Sequence, residues 1–335
     1  MKQLRLDSTL FRVAGLKVRH LEITTMVGCK VACIYCPQDK ISRRYFGEER
    51  MMKFDDFKIY IEKVPRRVVV HFTGFSEPFL NPRCADIIEY AAHRGHPIWI
   101  STTLAGITRE DIRRLSKLAP YYQFQIHLPS AEKLMNLPIN DEYFSLLSDI
   151  VKTGIITDLH FHGSDVHPMV GAWLRKHAVD FEEFWIQDRA GNLNTKKVKA
   201  KVSKPIITAA KPSGKLYCDR IYQNVLLPNG DVVLCCMDWS AEYVLGNLKR
   251  DRFEDLYRSE TFRRVLRGLK DPSVDLLCRT CHVAQSGAAK DRLRTAIRNI
   301  PGIGPIAVQK LSRIKQVSKT IGHFAFQAFE RAEPQ

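Results

Sequence analysis

The chain has 335 residues, 45% hydrophobic and 26% charged, which suits one large domain or two ordinary ones and excludes a disordered polypeptide. Lys and Arg number 52 against 36 Asp and Glu, a net charge of +16 that attracts nucleic acid, phosphorylated metabolites, anionic lipid or an acidic electron-donor protein. No run of about 18 apolar residues suggests a membrane-spanning helix, and Met1–Arg19 lacks the apolar core of a secretory signal, so a cytoplasmic enzyme is expected.

Apolar, β-branched runs predict strands at Leu21–Thr25, Val68–Phe72, Ile98–Thr103, Tyr122–Ile126, Thr157–His162 and Phe184–Ile186. Helical patterns fall between them at Phe54–Val64, Cys84–Arg94, Thr108–Lys117, Asp141–Thr153 and Met169–His177. Strands alternating with helices predict parallel βαβ units, with the chemistry in loops after the strands' C-terminal ends. The alternation stops near residue 190. A basic stretch with seven lysines between Asn192 and Lys215 reads as a linker. A hairpin is then predicted by Val225–Leu227, the turn Pro228-Asn229-Gly230-Asp231 and Val232–Leu234. A helix over Phe253–Leu269 follows. Residues 286–335, with nine Lys/Arg against three Asp/Glu, read as a basic helical tail.

Nine cysteines in clustered spacings favour metal binding over a disulfide framework. Cys29, Cys33 and Cys36 stand in the loop after the first strand as C-x3-C-x2-C. Three soft thiolates on a short loop suit one face of an iron–sulfur cube and leave one iron open to a substrate or cofactor. Cys218, Cys235, Cys236, Cys278 and Cys281 lie beyond residue 215. A set of four among them closes a metal site, and the spacing alone suits structural zinc as well as iron–sulfur. Cys84, alone at a helix start, reads as a buried thiol.

The Cys29/Cys33/Cys36 loop resembles the signature of the radical S-adenosylmethionine (SAM) superfamily. Thr73-Gly74-Phe75-Ser76-Glu77-Pro78 resembles that family's SAM-amine loop, with Phe75-Ser76 standing where the family has a second glycine. Ser101-Thr102-Thr103-Leu104 sits at the family's ribose and carboxylate position; the same hydroxyls also suit helix capping. The resemblance implies cofactor contacts from Tyr35, Gly74, Ser76, Glu77, Ser101, Thr103 and His127. His160 and His162 share a strand face, pointing at substrate or lining a barrel. The downstream cysteines resemble a SPASM or twitch auxiliary-cluster domain, which implies a second [4Fe–4S] cluster on Cys218, Cys235, Cys278 and Cys281.

The fold implied is α/β: a partial (β/α)6 radical SAM barrel, then a small α+β auxiliary-cluster domain. The expected boundaries are 1–19 for an N-terminal extension, 20–190 for the core, 191–215 for the linker, 216–285 for the iron–sulfur domain and 286–335 for the tail. The activity implied is a radical SAM oxidoreductase. It takes a hydrogen atom from a sugar-, cyclitol- or alcohol-like substrate, with the auxiliary cluster accepting an electron. Asp188, Arg189 and Asp238 are candidates for the catalytic groups. A flavodoxin or ferredoxin is the expected reductant. Two alternatives stay open: a peptide- or protein-modifying maturase, and a nucleic-acid-associated protein using a helix–hairpin–helix-like segment at Ile300–Leu311 with Lys310, Arg313 and Lys315. Phe324, Phe326 and Phe329 could dock on the core or on a membrane surface.

Overall fold

The structure, a computed structural model, describes residues 19–119, 121–208 and 214–286. The expected N-terminal extension, the Ile300–Leu311 segment and the three tail phenylalanines therefore lie outside the described residues. Arg19–Gln285 form one compact unit. Among the described residues, no helix is long and apolar enough to cross a membrane.

Six strands pair in parallel and in chain order: β1 (His20–Ile23), β2 (Val69–Phe72), β3 (Ile98–Thr102), β4 (Gln123–Leu128), β5 (Asp158–His162) and β6 (Glu182–Phe184). Helices α1 (Gln38–Arg44), α2 (Phe54–Ile61), α3 (Cys84–His93), α4 (Arg109–Leu115), α5 (Asp141–Thr153) and α6 (Pro168–Lys176) connect them. Local signals set the helix ends. Thr108 and Asp111 form a reciprocal capping box at α4, Asn140 caps α5, and Gly154 closes α5 in the left-handed region.

The strands alternate, and the alternation is in register across the sheet. Leu21, Ile23, Val70, Phe72, Ile100, Phe124, Ile126 and Leu128 are all buried in the main hydrophobic core. The intervening positions are polar or aromatic: Glu22 pairs with His71, His71 with Trp99, Ser101 with Gln125, and His127 with His160. Sheets buried under helices on both faces read as continuous apolar runs; here one face lines a cavity, so period two survives.

Two elements differ from the sequence expectation. The sixth strand is Glu182–Phe184 rather than Phe184–Ile186. It is an edge strand placed by pairing with His160–His162, and its own residues are exposed. The helix expected over Phe253–Leu269 is a 3-10 turn, Asp255–Arg258, followed by a separate α helix, Glu260–Lys270. Ser259 accepts from the Phe262 amide and starts that helix anew.

The stretch read as a linker is packed. It contains the short helix α7 (Thr195–Lys199). Leu193, Val198, Val202 and Ile206 are buried with Val31, Tyr35, Leu134 and Met135, under the first cysteine loop. Lys196, Lys197, Lys199, Lys201 and Lys215 of the same segment are exposed, which hid the buried aliphatics.

The downstream region extends the same sheet. After β7 (Leu216–Tyr217), strands β8 (Gln223–Leu226), β9 (Asp231–Val233) and β10 (Val244–Asn247) form an antiparallel meander. Strand β8 runs parallel to β1, with His20 opposite Gln223 and Ile23 opposite Leu226. The nine strands run in the order β10-β9-β8-β1-β2-β3-β4-β5-β6. An edge strand left unpaired beside a buried core is costly, and β8 satisfies that edge of β1. The hairpin is also tied to the first helices. Tyr45 Oη accepts from the Asn229 amide at 2.8 Å, and Tyr60 Oη donates to the Pro228 carbonyl at 3.2 Å. Gly230 has φ +93° at the turn, where a Cβ would meet Asn247 Oδ1 at 2.8 Å.

Leu226 is fully buried at this junction. Leu226→Ala is expected to cost about 2–5 kcal/mol, read from the denaturant midpoint. Hydrogen exchange should accelerate in β1 as well as in β8 and β9. Acceleration confined to the hairpin would show that the two regions are energetically separate.

Candidate active site

The loop after β1 carries Cys29, Cys33 and Cys36, all half-buried. It folds tightly. Gly28 and Ala32 have positive φ, and the Cys36 amide donates to the Cys33 carbonyl at 2.9 Å. Gln38 joins it to the loop after β2, donating from Nε2 to the Phe75 carbonyl at 2.6 Å. The Cys33 and Cys36 thiols interact directly: their shared hydrogen bond lowers the Cys36 pKa and raises that of Cys33, which burial raises further.

The Thr73–Pro78 loop presses against β1. Gly74 has φ +59°, and a Cβ there would come 2.9 Å from the Thr24 amide nitrogen. The Phe75 amide donates to Thr24 Oγ1 at 3.1 Å. Ser76 Oγ is buried without a partner among the described residues, as a hydroxyl awaiting a ligand would be. Glu77 is buried, and its carboxylate is fully engaged. One oxygen accepts from Thr102 Oγ1 (2.7 Å) and the Phe79 amide (3.4 Å); the other accepts from the Thr103 amide (2.6 Å) and Oγ1 (2.7 Å). Burial raises its pKa, and these bonds oppose the rise. Glu77 thus braces two loops rather than presenting a free oxygen. Thr103 Oγ1 is spent on the same brace. Ser101 lies deeper in the polar wall, 2.8 Å from His71 Nε2 and donating to Gln125 Oε1 at 2.9 Å.

These groups line a cavity of about 300 Å³ over the polar face of the sheet. Its wall includes all three loop thiols, Tyr35, Gly74, Ser76, Glu77, Ser101, Thr103 and His127. Of the three catalytic candidates, only Arg189 lines it. The Arg189 backbone has φ +52°, and its Nε is buried without a partner among the described residues. Asp188 instead accepts from the Ala190 amide and lies 3.7 Å from His282 Nδ1. Asp238 accepts from the Glu242 and Tyr243 amides at 3.0 and 2.9 Å, which shapes the turn into β10. Burial lifts its pKa to about 6.

The cavity also holds residues that sequence reasoning did not select: Glu22, His71, Gln125, Arg220 and Cys236. Their signal was present as polar residues at alternate positions of otherwise apolar strands, and as the second of two adjacent cysteines. Glu22 is buried on β1, and burial raises its pKa to about 7 against the opposing pull of Arg220, Cys236 and Arg189.

The downstream thiols divide between two environments. Cys218 feels the charge of Cys281, Cys278 feels Cys218 and Cys281, and Cys235 feels Cys236, Cys218 and Cys278. Cys235, Cys278 and Cys281 are buried and Cys218 half-buried. Burial raises the Cys218 pKa to about 11 and the Cys278 pKa to about 12. Four free thiols in this region, held without disulfides, suit a metal that would draw off their protons. Cys236 points elsewhere: it accepts from Arg220 Nη1 at 3.3 Å on the cavity wall.

A family model described as the Radical SAM superfamily matches residues 23–169, and one described as an iron–sulfur cluster-binding domain, SPASM, matches residues 218–282. The chain belongs to the radical SAM superfamily and carries a C-terminal SPASM domain. It is a radical SAM enzyme whose cofactors are SAM and [4Fe–4S] clusters. The orphaned Ser76 hydroxyl, the Gly74 cradle and the two thiol sets described above fit those groups.

A curated relative is the tungsten-containing aldehyde ferredoxin oxidoreductase cofactor-modifying protein of Pyrococcus furiosus. It is 29% identical over 128 residues, 36% of this chain and 34% of that protein, so the match spans about a third of the relative's length. Among solved structures, anSMEcpe with bound AdoMet and Cp18Cys peptide has a TM-score of 0.51 at 13% identity, covering 93% of this chain and 98% of that one. SuiB of Streptococcus suis bound to S-adenosylmethionine has a TM-score of 0.51 at 12% identity, covering 79% and 71%. BtrN in complex with AdoMet and 2-DOIA has a TM-score of 0.49 at 16% identity, covering 80% and 93%.

Gly74→Ala in this radical SAM enzyme is expected to push the Thr73–Ser76 loop off Thr24. SAM affinity measured on the reconstituted protein should fall at least about tenfold with iron content unchanged, since the left-handed backbone and the close approach both require glycine. Unchanged affinity would show that the loop does not set the SAM pocket.

Proposed function

We propose that this enzyme oxidises a carbinol carbon of a small polar substrate held in the 300 Å³ cavity, with Glu22 as the general base. The observation that carries this reading is the position of Glu22. It is a buried carboxyl on the cavity wall, with a pKa near neutrality, flanked by Arg220 and Arg189 and facing the SPASM side of the cavity. A catalytic base works best when its pKa lies near the operating pH.

When bound, SAM and its cluster supply a 5′-deoxyadenosyl radical and the second cluster supplies an electron sink. The substrate loses one hydrogen atom from carbon, one proton from its hydroxyl and one electron, and a ketone results. Glu22 takes the hydroxyl proton. Arg220 and Arg189 orient the substrate oxygens and favour the ionised form of Glu22. His71, Ser101 and Gln125 form a hydrogen-bonded floor that fixes the substrate's other polar groups.

In this reading Cys29, Cys33 and Cys36 hold the SAM-binding cluster, and Cys218, Cys235, Cys278 and Cys281 hold the auxiliary one. The cavity-facing side chain of Cys236 supports leaving it out of the ligand set. The excess of positive charge favours an acidic reductant such as flavodoxin or ferredoxin. A cofactor, the kind of molecule named for the Pyrococcus furiosus relative, falls within the same small-molecule class. A peptide side chain is the second reading, favoured by the shared fold of peptide-bound anSMEcpe.

Glu22→Gln is expected to lower kcat by about 10²–10⁴-fold while leaving SAM binding intact. The base acts ionised, so the wild-type rate should fall as pH drops through about 7, and the variant should lose that acid limb. An unchanged pH profile in the variant would remove Glu22 as the base. Cys235→Ala should lose about four irons per chain and Cys236→Ala none. The reverse result would exchange their roles. Product mass spectrometry decides the substrate class. A loss of two hydrogens from a small molecule supports the first reading, and a modified peptide supports the second.

A further inference from the structure

Beside the thiols, the cavity wall holds another group of ligating side chains. His127 on β4 and His160 and His162 on β5 each offer a nitrogen, and the three nitrogens lie within 4.8 Å of one another. His127 Nδ1 and His160 Nε2 are 3.0 Å apart. Each β5 ring is also held from behind. His160 Nδ1 is 3.4 Å from Asp158 Oδ1, and His162 Nδ1 is 3.0 Å from the Phe184 carbonyl oxygen. Those contacts leave Nε2 of both rings turned away from their outer partners. Packing fixes the ring planes: His160 stacks on Phe184 at 3.9 Å, and His162 lies 4.7 Å from the Tyr35 ring.

We propose that His127, His160 and His162 bind one divalent cation of borderline softness, Zn(II) in particular, at a site separate from both iron–sulfur sites. Imidazole suits such ions, whereas the thiol loops suit iron–sulfur clusters. A carboxylate or carbonyl behind each metal-binding histidine is the usual way that tautomer and ring orientation are set, and Asp158 and the Phe184 carbonyl occupy those places. With Nδ1 donating to Asp158 and to the Phe184 carbonyl, His160 and His162 keep a lone pair on Nε2. Tetrahedral zinc with bonds of about 2.0–2.1 Å places nitrogens ~3.4 Å apart, so a small rotation of one ring closes the longest separation.

A hydrogen-bonded His127–His160 pair in a polar wall accounts for two rings. It does not account for the third ring converging on them, nor for the carboxylate behind His160. Three protein ligands leave a fourth position, and all three residues line the cavity. A substrate oxygen placed there would be oriented and polarised. The proposal does not depend on which substrate the enzyme oxidises.

The test uses the reconstituted holoenzyme with both clusters intact. It is washed with a mild chelator, exposed to Zn(II), desalted and assayed for zinc and iron. Wild type should retain about one zinc per chain without losing iron, and zinc K-edge absorption should show nitrogen and oxygen neighbours only. His160→Gln and His162→Gln should each lower zinc retention at least tenfold with iron unchanged. Asp158→Asn should weaken zinc binding about 10–100-fold. Iron content and cluster absorbance report folding; if a histidine variant fails to fold, the partly exposed Asp158 decides. No zinc retained by wild type, sulfur in the zinc shell, or retention unchanged by Asp158→Asn would each overturn the site.

Discussion

The parallel pairing of β8 with β1 is the constraint on which the site depends. Strand β1 has β2 on one side and β8 on the other, and it leads directly into the loop of Cys29, Cys33 and Cys36. The same pairing sets Glu22 opposite Val225, a few residues after Arg220. One ladder thus joins the first thiol loop, the buried carboxyl and the SPASM hairpin. The hairpin that leads to Cys235 is positioned by backbone pairing to β1 rather than by a flexible tether.

Strand alternation then sorts chemistry onto faces. Successive side chains of a strand point to opposite sides. On β1 to β5 this gives an apolar face packed under helices and a polar face around the cavity. Just past β9, in the turn, Cys235 feels the charges of Cys236, Cys218 and Cys278, whereas Cys236 accepts from Arg220 on the cavity wall.

Most of the buried polar groups are satisfied. Glu77 spends its acceptor capacity on Thr102, Thr103 and Phe79, making a rigid brace between the loops after β2 and β3. Among the described residues, Ser76 Oγ and Arg189 Nε on the cavity wall have no partner. In a low-dielectric interior an unmatched polar group is costly, so such groups mark where a ligand completes the network.

The sequence by itself marked the two thiol sets and the alternating βα pattern, because ligand spacing and apolar periodicity are local properties of the chain. Gly74 was legible for the same reason: the loop motif places it after a strand. The sequence also marked Asp188 and Asp238 as candidate catalytic groups, but only the fold showed that backbone amides occupy Asp238 and that Asp188 lies off the cavity wall. It did not select Glu22, although the glutamate stands in plain view in the first strand. What makes that residue chemically distinct is burial within reach of the Arg220 charge, almost two hundred positions away, and the β1–β8 pairing brings the two regions together. His160 and His162 were visible as residues sharing a strand face, and His127 as a cofactor contact implied by the resemblance. Their convergence required β4 and β5 to pair in the register that sets His127 against His160, and long-range pairing of that kind is decided by tertiary packing.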